Sequence, residues 1–163
     1  KILGFIFFII LIVFKKIIML EQKKKQNIQI SKNYNTAKNL IEKNSQNEAV
    51  KILIKIINEN NSFYSPSALN LIIDNNLIKD KIKILSYFDQ IISKSKLDFE
   101  TKNLFIFKKV IYIGDGISEN ELLSSLNPIL TSDSLWKNAV SNYIKKYYLS
   151  KGEFNKAKEF QIK

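Results

Sequence analysis

The sequence predicts an all-α chain: an apolar N-terminal helix followed by an α-solenoid of about four helix pairs. Three observations predict it. From Tyr34 onward, apolar side chains recur at helical spacing in segment after segment. Only four Gly and two Pro occur in 163 residues, which disfavours an all-β chain with many tight turns. The polar breaks between the periodic segments are short, as between neighbouring antiparallel helices.

The first element is the apolar run from Ile2 to Phe14, interrupted by Lys15-Lys16 and resumed at Ile17-Ile18-Met19-Leu20. It is short for a membrane span, which takes about 20 residues. Lysines can snorkel, so residues 1–20 are expected as a transmembrane anchor, with Phe5, Phe7, Phe8, Ile10, Leu11 and Phe14 among the lipid-facing side chains. A cleaved signal segment and a buried core helix are the alternatives. No small-residue cleavage site follows the run, and a core helix is seldom apolar on every face beside so basic a stretch. Residues 21–33 read as a basic linker or stalk helix. The repeat domain is expected over 34–163, incomplete at its C-terminal end. The chain begins at Lys1 and its last helix is short, so a piece of a longer protein is expected.

Eight helices follow from the pattern. Tyr34, Ala37, Leu40 and Ile41 share one face, and Asn44 to Asn47 make a turn. Ala49, Ile52, Leu53, Ile56 and Ile57 form the next stripe. Ser65 and Pro66 suit the start of the third helix, which Asn75-Asn76 ends. The fourth carries Ile82, Leu85, Phe88, Ile91 and Ile92. Asp98 suits the cap of the fifth, and Ser118 with Glu121 gives a capping-box pattern for the sixth. Pro128 is expected to end or kink that helix. Asp133 is expected to cap the seventh, which carries Trp136, Ala139, Val140, Tyr143, Ile144 and Tyr147. Gly152 closes it, and the eighth starts at Glu153.

Composition excludes more function than it supplies. The chain has no Cys and no His, which removes disulfides, thiolate nucleophiles, imidazole chemistry and the usual zinc ligands. All 26 basic residues are Lys and the net charge is +11. Residues 1–33 hold seven Lys and one Glu, so more than half of the excess sits beside the apolar run. There is no Arg for bidentate base contacts and no RNA-binding signature, so no nucleic-acid partner is expected. Gly114-Asp115-Gly116 lacks Walker and Rossmann spacing. Asp115, Glu119 and Glu121 lack EF-hand spacing and read as a solvated turn with a helix cap. No catalytic residue, cofactor or metal site is expected, and the chain is not read as an enzyme.

Tyr147-Tyr148, Gly152, Phe154, Lys156-Ala157 and Phe160 resemble the tetratricopeptide consensus around its central turn. Tyr34, Ala37, Leu40, Ile41, Glu48, Ala49 and Leu53 match it more loosely. Ala139 and Tyr143 complete the expected packing positions. At the middle pairs the small position of the second helix is filled by Ile82 and Leu122, giving separations of 33, 40 and 35 residues from Ala49 through to Ala157. Trp136, Tyr147 and Phe154 are expected to pack, and Tyr148, Lys145 and Lys146 to be exposed. Asn35, Lys38, Asn142 and Lys146 are the candidate partner-binding positions, suited to an extended segment.

The layout as a whole is similar to bacterial inner-membrane proteins with one N-terminal anchor and a divergent tetratricopeptide-like domain, the ancillary SecYEG translocon subunit (YfgM-like) family. That resemblance implies a single-pass inner-membrane protein with a periplasmic helical domain. It implies an adaptor that assists protein export, with the translocon or periplasmic chaperones as partners and lipid around residues 1–20. The five Lys between positions 15 and 25 place the following domain in the cytoplasm by the positive-inside rule, opposite to that implication. The other function considered is a periplasmic helical-repeat structural protein in envelope or cell-division organisation.

Overall fold

The computed structural model describes the backbone of residues 2–160 and the side-chain surroundings of residues 11–160. The described backbone is mostly helical, its helices joined by short turns and irregular segments, with no strand. Eight helices follow in order: α1 (Ile2–Glu42), α2 (Gln46–Asn58), α3 (Tyr64–Asp74), α4 (Lys81–Lys94), α5 (Phe99–Ile113), α6 (Glu119–Leu130), α7 (Lys137–Ser150) and α8 (Phe154–Glu159). A single 3-10 turn, Gly114–Gly116, lies between α5 and α6. The chain divides into two compact units, Lys1–Ile56 and Ile57–Lys163.

In the first unit, α1 runs without a break through the expected stalk and into the first repeat helix. Its residues from Leu11 to Gln29 are exposed on every face; burial begins at Ile30 and recurs at Ala37. Among the described residues, no helix is long and apolar enough to cross a membrane. This overturns the anchor expected over residues 1–20 and with it the single-pass inner-membrane placement. Lys15 and Lys16 are the physical reason. They put two charged side chains inside the apolar stretch from Leu11 to Leu20, and Glu21 and Lys23 to Lys25 follow it directly. Leu11 and Phe14 are exposed. The side chains of Phe5, Phe7, Phe8 and Ile10 lie outside the described residues.

The turn after α1 closes by a left-handed residue. Asn44 has φ +59°, its N–H donates to Ile41 O (3.0 Å), and the Ser45 N–H donates to Leu40 O (2.8 Å). Beyond it, Ala49, Leu53 and Ile56 are buried on one face of α2.

In the second unit each of α3 to α7 packs against the next helix in sequence. Phe88 meets Phe105 at 5.9 Å between ring centroids, and Gln90 Nε2 donates to Asn60 Oδ1 (3.1 Å), tying the α2–α3 loop to α4. Phe107, Leu122, Leu126, Ile129, Val140, Ile144 and Tyr148 form a continuous apolar core from α5 to α7, closed by Ala157 of α8.

One register differs from expectation and makes the pattern more regular. Ile82 is 81% exposed, and Ile84 takes the buried position. The Lys-Ile-Lys-Ile-Leu alternation permits either stripe. Asp80 decides it: its carboxylate accepts from the Lys83 N–H (3.1 Å), which starts α4 at Lys81 and turns Ile84, Tyr87, Phe88 and Ile91 inward. The fourth residue of each even-numbered helix is then buried: Ala49, Ile84, Leu122 and Ala157. Their separations are 35, 38 and 35 residues.

Helix starts follow expectation at Asp98, which accepts from the Thr101 N–H (2.9 Å), and at Ser118, which accepts from the Glu121 N–H (3.2 Å). They depart from it twice. Asn61, not Ser65, caps α3: its Oδ1 accepts from the N–H groups of Phe63 and Tyr64 (3.0 and 2.9 Å), and Ser65 is buried inside the first turn. Asp133 does not cap α7, which begins after Trp136. Pro128 lies in the last turn of α6, which ends two residues later at Leu130.

Candidate binding surfaces

The segment Tyr147–Phe160 is where the repeat signature is densest, and it is built around one carboxylate. Glu119, in the first turn of α6, accepts from the Tyr148 hydroxyl (2.9 Å) and from Lys156 Nζ (2.8 and 3.0 Å). Lys156 also pairs with Glu153 (2.7 Å) and stands 5.3 Å from the Tyr148 ring centre. The Tyr148 ring stacks on Phe160 at 5.7 Å. Three helices are thereby joined by one set of contacts. The electrostatics follow from the geometry. Hydrogen bonds from Lys156 and Tyr148 hold the Glu119 carboxyl below its ordinary value. Burial, then the Glu119 contact, pushes Tyr148 up to about 12. Hydrogen bonds to Glu119 and then Glu153 raise Lys156.

Expected and observed packing can be compared residue by residue. Ala37, Ala49, Leu53 and Ala157 are buried, while Tyr34, Tyr143, Tyr147 and Phe160 are half-buried. Gly152 is in the left-handed region at φ +74°. Tyr148 is buried, not exposed, because its hydroxyl finds Glu119 from α6. Phe154 is exposed (64%), not packed. As first residue of α8 its side chain leans off the helix's N-terminal end, with no turn beneath it. Ala139 is exposed because α7 buries the i, i+4 stripe Val140, Ile144 and Tyr148, about 100° away from it.

The candidate partner-binding residues are all exposed. Asn35 and Lys38 lie one turn apart on α1, and Asn142 and Lys146 lie one turn apart on α7. The two pairs belong to different compact units.

A cleft that the sequence did not indicate lies at the N-terminal ends of α3 and α5. It encloses about 520 Å³ and is lined by Ser62, Phe63, Pro66, Ser67, Lys96, Asp98 and Thr101. Both Asp98 oxygens are occupied: Oδ1 by the Thr101 N–H, and Oδ2 by the Thr101 hydroxyl (2.6 Å). These bonds hold the Asp98 carboxyl below its ordinary value. Ser67 Oγ donates to Phe63 O (2.8 Å). Lys96 makes no ion pair among the described residues and is held at φ +44°. Its backbone closes α4, and Lys gives no hint of such a role.

Next along the same edge, α5 and α7 are joined through Glu100. Its carboxylate accepts from Ser134 Oγ (2.9 Å) and the Leu135 N–H (3.2 Å), and its backbone carbonyl accepts from Trp136 Nε1 (3.1 Å). This carboxylate, 34 residues earlier in the chain than Ser134, fixes the segment just before α7, and no side chain caps that helix in place of Asp133. Among the described residues, no group of three or more acidic side chains is placed to hold a metal ion. No protein family, curated relative or solved structure matches this chain.

Proposed function

We propose that the chain is a helical-repeat scaffold of tetratricopeptide type, that it works by binding other proteins, and that it is not an enzyme. One observation carries the reading: the buried fourth residue of α2, α4, α6 and α8, at near-constant separation. A helix pair with one apolar face cannot stand alone, and stacking such pairs gives an extended surface suited to proteins rather than to small molecules. The left-handed closures at Asn44 and Gly152 fit the same repeating plan, each ending a first helix before its partner. Among partners, the resemblance favours components of protein export.

The test is affinity capture with the whole chain on beads, followed by titration of each captured protein in pure form. Saturable binding of at least one protein supports the scaffold reading. Capture of nothing beyond what a heat-unfolded sample of the same chain retains would overturn it.

A further inference from the structure

Every apolar side chain from Leu11 to Leu20 stands in solvent, eight of them in ten positions, each 42–62% exposed. Packing does not account for them, since the described side chains of α1 are exposed up to Gln29. Contiguous exposed apolar surface on this scale marks an interaction site. The stretch also has two sides. At 100° per residue, Val13, Phe14, Ile17 and Ile18 fall within about 140° of one another. Lys15, Lys16 and Lys23 fall within about 100° on the opposite side, which Ile12 and Met19 share. The apolar side ends at Ile18, because Glu21, Lys24 and Lys25 are the next to come round to it.

Charge on this stretch is one-sided. Leu11 to Gln29 holds five Lys and one Glu, a net +4. None of the five lysines makes an ion pair among the described residues. After Glu21 the next acid along α1 is Glu42, about 25 Å beyond Lys25 at 1.5 Å per residue. We infer that the stretch from Leu11 to Lys25 docks on the surface of a lipid bilayer that carries anionic headgroups, lying in the interface without crossing it. The inference goes beyond the scaffold reading and adds a lipid surface to the protein partners proposed there.

Val13, Phe14, Ile17 and Ile18 enter the acyl boundary, and Lys15, Lys16 and Lys23 reach the headgroup phosphates from the other side on their long methylene stems. Each lysine close to an anionic surface is worth about fivefold in affinity. Lys15 and Lys16 divide the apolar stretch, which suits the interface and not the acyl interior, and among the described residues no helix is long and apolar enough to cross a membrane. A second copy is disfavoured, because it would set five lysines against five with one Glu on each chain. A protein groove takes one helical stripe and would leave Ile12 and Met19 uncovered, whereas the headgroup layer surrounds a helix sunk about 5–10 Å into it.

The test is flotation of the whole chain with phosphatidylcholine vesicles, made with and without phosphatidylglycerol. Binding to the mixed vesicles and not to the neutral ones is expected. It should fall about tenfold or more between about 10 mM and about 1 M NaCl, as the screening length drops from about 30 Å to about 3 Å. Phe14→Ser/Ile17→Ser/Ile18→Ser and Lys15→Gln/Lys16→Gln/Lys23→Gln should each weaken it about tenfold or more. Lys145→Gln/Lys146→Gln, on α7, should leave it unchanged. The first two variants alter exposed side chains, and unchanged helical circular dichroism checks that they fold.

Equal binding to neutral vesicles, no binding to either kind, or undiminished binding by the Ser or the Gln variant of α1 each overturns the proposal. So does bound chain that resists alkaline carbonate, since the helix would then be inserted and not docked. Self-association in sedimentation that the Ser variant abolishes assigns the stretch to a second copy, and a captured acidic protein that the Ser variant loses assigns it to a protein; either overturns the lipid surface. The outcome is separable from the scaffold reading: if vesicles fail while the Ser variant still captures the partners of the unaltered chain, the scaffold stands and the lipid surface is wrong.

Discussion

Tyr148 and Glu119 show how one contact can carry two pH dependences of opposite sign. Tyr148 is buried, and ionising it would place a phenolate beside the Glu119 carboxylate. Its pKa therefore rises from 10 to about 12. A folded value above the unfolded one means that this group's contribution to stability is complete below pH 10. It is lost as pH rises through about 12. Glu119 has the opposite sign. Its lowered value contributes stability above the ordinary carboxylate range, lost as pH falls through the folded value. In a spectrophotometric titration of tyrosinate, one group should therefore titrate near 12, and Tyr148→Phe should remove it. Glu119→Gln should lower that midpoint toward 10 without reaching it, because burial is the larger cause. A midpoint unmoved by Glu119→Gln would refute the pairing. The same pair marks a limit of sequence reading. Tyr148 lies 29 residues from Glu119, and neither its spacing nor its neighbours signal a partner so far away. By local pattern it is an exposed position, and the long-range contact reverses that.

Helix ends are the elements whose chemistry is most legible, because local backbone geometry decides them. With only four Gly in the chain, left-handed closures fall mostly to Asn: Asn44, Asn60 and Asn76 have φ between +50° and +59°. Asn tolerates that region better than other residues with a Cβ. At Asn76 the closure is complete, its N–H donating to Ile73 O (3.0 Å) and the Leu77 N–H to Ile72 O (2.9 Å). Asn76→Ala should destabilise the protein by about 1 kcal/mol, and Asn76→Gly should be neutral or stabilising, both read from urea unfolding midpoints. If Ala and Gly behave alike, the left-handed geometry does not govern that end. These turns announce themselves in sequence as Asn and Gly. Lys96 adopts the same geometry without any such mark, and Asp80 caps α4 from within a run of charges that reads as a solvated loop. The missed Asp80 is what shifted the expected stripe from Ile84 to Ile82. Glu100 lies in the first turn of its own helix, yet its carboxylate holds the segment just before α7, a long-range role that local pattern does not carry.

Over the whole molecule, charge is divided unequally between the two units. Lys1–Ile56 holds eleven Lys and three acids, a net +8, whereas Ile57–Lys163 holds fifteen Lys and twelve acids, a net +3. The ion pairs seen are Lys109–Asp89, Lys156–Glu119 and Lys156–Glu153, all in the second unit and all partly exposed. Exposed pairs contribute little, so their screening by salt costs little stability. Among the described residues the first unit shows no ion pair, and Lys15, Lys16, Lys23, Lys24 and Lys25 lie on the stretch of α1 from Leu11 to Gln29 that is exposed throughout. Net self-repulsion destabilises a folded chain, and salt removes it. Raising NaCl from about 10 mM to about 1 M shortens the screening length from about 30 Å to about 3 Å. The helical signal should therefore melt at a higher temperature in high salt, by on the order of 2–4 °C for each kcal/mol of repulsion removed. The location of the repulsion is testable as well. Lys23→Gln/Lys24→Gln/Lys25→Gln should shrink the salt response, and Lys145→Gln/Lys146→Gln, from the nearly balanced second unit, should leave most of it. A melting temperature that falls with NaCl would mean that attractive pairs outweigh repulsion. A response removed by the second variant and kept by the first would place the excess charge's effect on α7 instead of α1.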